Sequence, residues 1–224
     1  MCDRFEGLVE EFLKVYFTMH PTHATALGLH EYDHLLEDRD ERAIQQEIIW
    51  LQHMRHELQR TIRTEQLEPH LRVDCRILQS EIELQLLGLQ RIRPWARDPN
   101  YYSDLASWSV YPLFVRDFAS LEERLNVATQ RLAAIPRLFS QAKSNLGEAV
   151  ERGIGDPAQG IPRIFVEIAL QELAGTKVFL GSVVPQFAEQ AKDEPVTNSL
   201  LAENARAVDG CNDLLKFLGN ELLE

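Results

Sequence analysis

A chain of 224 residues, 45% hydrophobic and 26% charged, has the length of one large domain or two small ones and can bury a substantial core. Its 23 basic and 35 acidic residues leave a formal net charge of -12, which argues against a general nucleic-acid or anionic-membrane surface. The acidic residues near the N-terminus, the lack of any run of eighteen apolar residues, and three scattered cysteines, Cys2, Cys75 and Cys211, give the expectation of a cytoplasmic protein without a disulfide framework.

Apolar residues recur at helical spacing along nearly the whole chain, which predicts an all-α fold: one domain over 1–224, an antiparallel bundle of long, partly kinked helices. Phe5, Leu8, Val9, Phe12, Leu13, Tyr16 and Phe17 form one stripe on a helix that stops before Pro21. Thr22 is expected to cap a short turn ending at Gly28. Asp38 or Asp40 then caps a long helix whose stripe is Ile44, Ile48, Leu51, Leu58 and Ile62. Pro69 suits the first turn of a third helix, with Leu71, Cys75, Leu78, Ile82, Leu86 and Leu89 inward and an end before Pro94. The short Glu68-Pro69 connection makes these two an antiparallel pair.

From Pro94 to Phe118 the chain looks irregular and aromatic, with Trp95, Tyr101, Tyr102, Trp108, Tyr111, Phe114 and Phe118; such rings line a cleft or plug helix ends. A fourth helix starts near Asp117 or Ser120, and Pro136 should kink or split it. Gly153 to Pro157 reads as a linker and a possible sub-division. Ile161 to Gln190 is largely apolar with a kink at Pro185, Asp193 to Asn198 reads as a break, and Asn198 or Ser199 caps a last helix carrying Leu201, Ala205, Val208, Leu215, Leu218 and Leu222. The chain reaches Glu224 inside that pattern, with no stop signal, as a shortened protein would.

One stretch has the spacing of a reaction centre. His30-Glu31-Tyr32-Asp33-His34 satisfies H-E-x-x-H, in which two histidines one helical turn apart hold zinc and the glutamate polarises its water. That chemistry needs a regular helix through all five residues and a third ligand, for which Glu47, Glu57 and Glu65 are available but not distinguished. Gly28 before the motif, and Asp33, Glu37 and Asp38 in and after it, speak for turn and cap chemistry instead. His53 and His56, three apart, match neither the motif nor its inverse. The arginine groups Arg55, Arg60, Arg63 and Arg91, Arg93, Arg97 read as solvated faces and favourable helix C-terminal charges.

Four landmarks, in order along the chain, carry a resemblance. They are Pro21-x-x-Ala24-Thr25-x-Leu27-Gly28-x-His30-x-x-Asp33, Asp98-Pro99-x-x-Tyr102, Arg131-Leu132-x-x-Ile135-Pro136 and Ala142-x-x-Asn145-Leu146. Over roughly residues 5–222 the sequence resembles the N-terminal half of the bacterial family called domain of unknown function 885. That resemblance implies one half of a larger helical metallopeptidase-like fold, with zinc belonging to a C-terminal half not present here. It also implies that His34 lies outside the shared pattern, that His30 and Asp33 fix a turn, and that this segment holds no catalytic residue, metal or cofactor of its own.

Three readings follow. The favoured one is a helical wall of a cleft, with Arg97, Asp98, Tyr101 and Tyr102 as candidate substrate contacts and the chain's own C-terminal half as partner. The second is a self-standing interaction or scaffold protein that pairs with a second copy of itself. The third is an autonomous zinc hydrolase using His30, Glu31 and His34. None of the three involves nucleic acid or a membrane.

Overall fold

The structure, a computed structural model, describes residues 2–151 and 160–223, and among them there is no strand. The helices are α1 (Cys2–Met19), α2 (Pro21–Ala26), α3 (Glu41–Thr61), α4 (Pro69–Leu87), α5 (Pro94–Arg97), α6 (Asn100–Val115), α7 (Leu121–Glu151), α8 (Arg163–Val178), α9 (Val184–Ala188) and α10 (Glu194–Glu221). No helix among the described residues is long and apolar enough to cross a membrane. The all-α expectation holds.

Two compact units divide the chain: Met1–Met19 with Glu41–Arg93, and His20–Asp40 with Pro94–Glu224. The linker expected at Gly153 to Pro157 lies outside the described residues. In the first unit α1, α3 and α4 pack on one another. Ile44, Ile48, Leu51, Met54 and Leu58 of α3 and Leu71, Cys75, Leu78, Ile82 and Leu86 of α4 are buried, one residue per turn, as the stripes require. Pro69 opens α4, where its missing N–H has no partner to lose. After Leu87 the chain widens into a π turn, Gly88–Ile92, and Arg93 takes a left-handed conformation (φ 55°) directly before Pro94.

The second unit is organised by α7, which α10, α6 and α5 cover. Leu125, Ala128, Leu132, Ile135, Leu138, Phe139, Ala142 and Leu146 of α7 meet Ala207, Cys211, Leu214 and Leu218 of α10 in its core. α7 opens on a capping box: the Ser120 hydroxyl accepts the Glu123 amide (3.2 Å) and the Glu123 carboxylate accepts the Ser120 amide (3.0 Å). Pro136 does not split it. At that level Gly210 of α10 lies so close that an added Cβ would sit 3.2 Å from Phe139 and 3.4 Å from Pro136 Cα.

Three expectations are corrected. The stretch from Pro94 to Phe118 is mostly helical: Tyr102, Ala106, Val110, Leu113 and Phe114 recur at helical spacing on the buried side of α6, and burial of that stripe overrides the irregular look of the sequence. Thr22 does not cap α2; its hydroxyl bonds to Glu37 Oε1 (2.5 Å). The last helix begins at Glu194, not after Asn198, because Pro195 is tolerated in the first turn and Asp193 Oδ1 accepts the Val196 amide (3.1 Å). Directly ahead of Pro185, which opens α9, the helix widens into a second π turn, Phe179–Val183, and Asn204 of α10 donates to the Leu180 carbonyl within it (2.7 Å).

Candidate functional site

His20 to Asp40 contains one short helix and a 3-10 turn, so many of its backbone groups have no helical partner and must find others. α7 supplies them. Arg131, fully buried, donates from Nε to the Leu35 carbonyl (3.1 Å) and from Nη1 to the Ser109 carbonyl of α6 (2.6 Å). Its Nη2 donates to Thr25 Oγ1 (2.5 Å) and more weakly to the Pro21 carbonyl (3.4 Å). The Thr25 hydroxyl, having accepted from Arg131, passes its own proton toward Asp33 Oδ1 (2.5 Å).

Asp33, 2% exposed, uses its other oxygen to accept from His30 Nδ1 at 2.9 Å. An ionised carboxylate has no proton to give, so Nδ1 carries the proton of that bond. The His30 ring stacks on Phe118 at 3.8 Å between centroids, 8° from parallel. Arg131 Nη2 stands 3.9 Å from Asp33 Oδ1, which balances one buried charge with another. Burial pushes the Arg131 guanidinium down from its ordinary pKa, and Asp33 and then Glu37 oppose that.

Two to four turns further along α7 the pattern repeats. Gln141 accepts the Arg39 amide (3.0 Å) and donates to Asp38 (2.6 Å). Asn145 Nδ2 donates to the Arg39 carbonyl (2.6 Å) and to the Tyr102 hydroxyl (2.8 Å), which in turn donates to the Trp95 carbonyl (2.5 Å). Burial raises the Tyr102 phenol well above its usual pKa, with the Asn145 hydrogen bond acting the other way, so it stays a neutral donor.

His30–Tyr32 form a single 3-10 turn followed by further turns, not the α-helix that would set His30 and His34 on one face. His30 is tied to Asp33 and Phe118, while His34 is exposed. Among the described residues no group of three or more His, Cys, Asp or Glu could hold a metal ion. Gly28, at φ +86°, occupies a backbone region that disfavours a side chain, which explains glycine before this turn.

The structure places the four expected contact residues differently from one another. Tyr102 is in the core. Arg97, Asp98 and Tyr101 are half-buried, with Arg97 Nε donating to the Gly160 carbonyl (3.3 Å) and Asp98 Oδ1 accepting the Asn100 amide (3.0 Å). Burial raises the Asp98 carboxyl above its ordinary range, and the Asn100 amide bond opposes that.

The polar landmarks Thr25, His30, Asp33, Tyr102, Arg131 and Asn145 therefore fall in two hydrogen-bonded networks of one unit, each anchored on α7. The model of a family described as "Bacterial protein of unknown function (DUF885)" matches residues 21–224. The chain belongs to the DUF885 family. No curated protein matches it. Among solved structures, one described as a candidate lipoprotein of unknown function from Shewanella oneidensis is similar to this DUF885 chain, with a TM-score of 0.81 at 16% identity. The match covers 96% of this chain and 37% of that one, so the DUF885 chain spans little more than a third of its neighbour's length. At that identity the likeness is one of fold.

Proposed function

We propose that this DUF885 chain is a helical support, one wall of a cleft, with no catalytic centre of its own, and that any metallopeptidase-like chemistry belongs to residues outside it. What supports the reading is the use made of its polar landmarks: Thr25, His30, Asp33, Tyr102, Arg131 and Asn145 are each hydrogen-bonded inside one unit. Groups held this way fix backbone geometry. Arg97, Asp98 and Tyr101 are the contacts proposed for a substrate or for the remainder of a longer protein. A cytoplasmic location without nucleic-acid or membrane partners belongs to the same reading, supported by the net charge of -12 and by free cysteines at 2, 75 and 211.

The test is metal content together with peptide hydrolysis by the purified chain in added zinc. The expected result is substoichiometric zinc and no turnover above that of the His30→Ala and His34→Ala variants. One zinc per chain, lost in both variants along with hydrolysis of a mixed peptide substrate, would establish the zinc hydrolase instead.

A second reading, a self-standing scaffold that pairs with a copy of itself, is favoured by α4. Val73, Ile77, Leu84 and Leu87, with Ser80 between them, are spaced like a coiled-coil seam, and the four apolar residues are exposed. Sedimentation separates the two: a dimer broken by Ile77→Glu supports the scaffold, and a monomer at all concentrations removes it.

A further inference from the structure

α6 and α8 of the second unit leave a groove of about 390 Å³ lined by Ser107, Trp108, Tyr111, Glu172, Gly175, Thr176 and Phe179, within the range of small-molecule sites. Three of these residues are aromatic, and none is basic. The Trp108 and Tyr111 rings stand 5.7 Å apart at 82°, and the Tyr111 and Phe179 rings 6.2 Å apart at 60°. An edge-to-face contact covers at most one face of one ring in each pair, and Tyr111 is 44% exposed, so aromatic surface remains for a ligand. Trp108 is 61% exposed, which is unusual for an indole whose only task is packing.

The helices are joined beside the groove by a 2.8 Å hydrogen bond between the Ser107 and Thr176 hydroxyls. Gly175 keeps the α8 side open: a Cβ built there would meet nothing within 4 Å. Phe179 is the first residue of the π turn, where the widened backbone re-aims it relative to a plain α-helix. Glu172 forms no ion pair among the described residues. Asp104, one turn before Trp108 on α6, feels it: the Asp104 carboxyl is raised by burial first, then by Glu172 and Asp98. The groove therefore presents open aromatic faces and uncompensated negative charge, a combination that repels anions and that a neutral ligand would leave unused.

We propose that this groove binds a small organic ammonium ion, its cationic head against Trp108, Tyr111 and Phe179 and beside the Glu172 carboxylate. The proposal stands independently of the supporting role above. A positive charge over an aromatic face gains from the ring quadrupole, and the carboxylate adds a direct electrostatic pull. The hydroxyl pair offers a hydrogen-bonding point for a ligand that carries its own hydroxyl or amide.

The experiment is calorimetric titration of the full chain with choline and with 3,3-dimethylbutan-1-ol, its uncharged isostere, followed in parallel by the part of the tryptophan emission that is lost in Trp108→Phe. Choline should bind saturably and about tenfold tighter than the alcohol, in keeping with one to two cation–π contacts. Both positions are exposed, and with helicity checked unchanged, Glu172→Gln should weaken choline severalfold and leave the alcohol little affected, whereas Trp108→Ala, which also removes apolar surface, should weaken both compounds and choline the more. Equal affinity for the two compounds, or no saturable binding of choline by a folded chain, would overturn the proposal. So would choline binding that survives both substitutions.

Discussion

Arg131 Nη2 lies 2.5 Å from Thr25 Oγ1, across 106 positions of sequence, and that contact links the long helix α7 to the short helix α2, just ahead of the turn that carries His30 and Asp33. The guanidinium matches acceptors that no apolar side chain could satisfy: the carbonyls of Leu35, Ser109 and Pro21 and the Thr25 hydroxyl. Arg131→Met should therefore destabilise the second unit by about 3–5 kcal/mol, the range for removing one partner of a buried charge pair. Urea unfolding followed by circular dichroism measures it, and a loss under about 1 kcal/mol would show that the network contributes little.

Tyr102→Phe removes a hydroxyl that donates to the Trp95 carbonyl and accepts from Asn145, and should cost about 1–3 kcal/mol. Asn145→Leu should cost a similar amount. Because the two side chains share a bond, the double variant should be less unstable than the sum of the singles. Strict additivity would mean that the 2.8 Å contact is not an energetic one.

The two histidines of the H-E-x-x-H pattern should behave unequally. His30→Ala removes a donor to buried Asp33 and should cost about 1 kcal/mol or more, whereas His34→Ala, at an exposed position, should stay within about 0.5 kcal/mol of the parent. A shared metal site would instead make both changes equally costly, and only in the presence of zinc.

Close approach at Gly210 gives a pair of opposite outcomes. Gly210→Leu has to displace Phe139 or the α7 backbone at Pro136 and should cost about 1–3 kcal/mol. Gly219→Ala, in the same helix with nothing within 4 Å of the new methyl, should stabilise by about 0.5–1 kcal/mol through helix propensity. Thermal midpoints of the two variants should move in opposite directions.

Burial pushes the Cys211 thiol up to about 12 from an ordinary value of 9.0, with Lys177 acting weakly the other way. The unfolded chain thus gives up this proton before the folded one does. Its contribution to stability is present in full below pH 9 and is lost as pH rises toward 12. The alkaline fall in urea midpoint should be shallower in Cys211→Ala, although that variant starts lower because of the cavity it leaves. In thiol titration of the folded protein at neutral pH, Cys2 should react before buried Cys75 and Cys211.

The helical stripes were legible because burial of one face imposes a local period, so Ile44, Ile48, Leu51 and Leu58, or Leu71, Cys75, Leu78 and Ile82, can be read without knowing what covers them. The order of the landmarks likewise carried the family. Where local signals were weak or mixed, the reading failed: the aromatic run of α6 looked like a loop, and Thr22 and Asn198 looked like caps although Glu37 and Asp193 held the partners that mattered.

By itself the sequence determined the fold class, the apolar faces and the membership, since all three depend on the identity and spacing of residues along one chain. Only the tertiary structure decided that Arg131 and Asn145 serve the His20–Asp40 segment, that Tyr102 points inward, and that Trp108, Tyr111 and Phe179 surround a groove with Glu172. A hydrogen bond or a shared cavity joins atoms near in space and far apart in sequence, and no periodicity records which helix turns its polar side chains toward which loop.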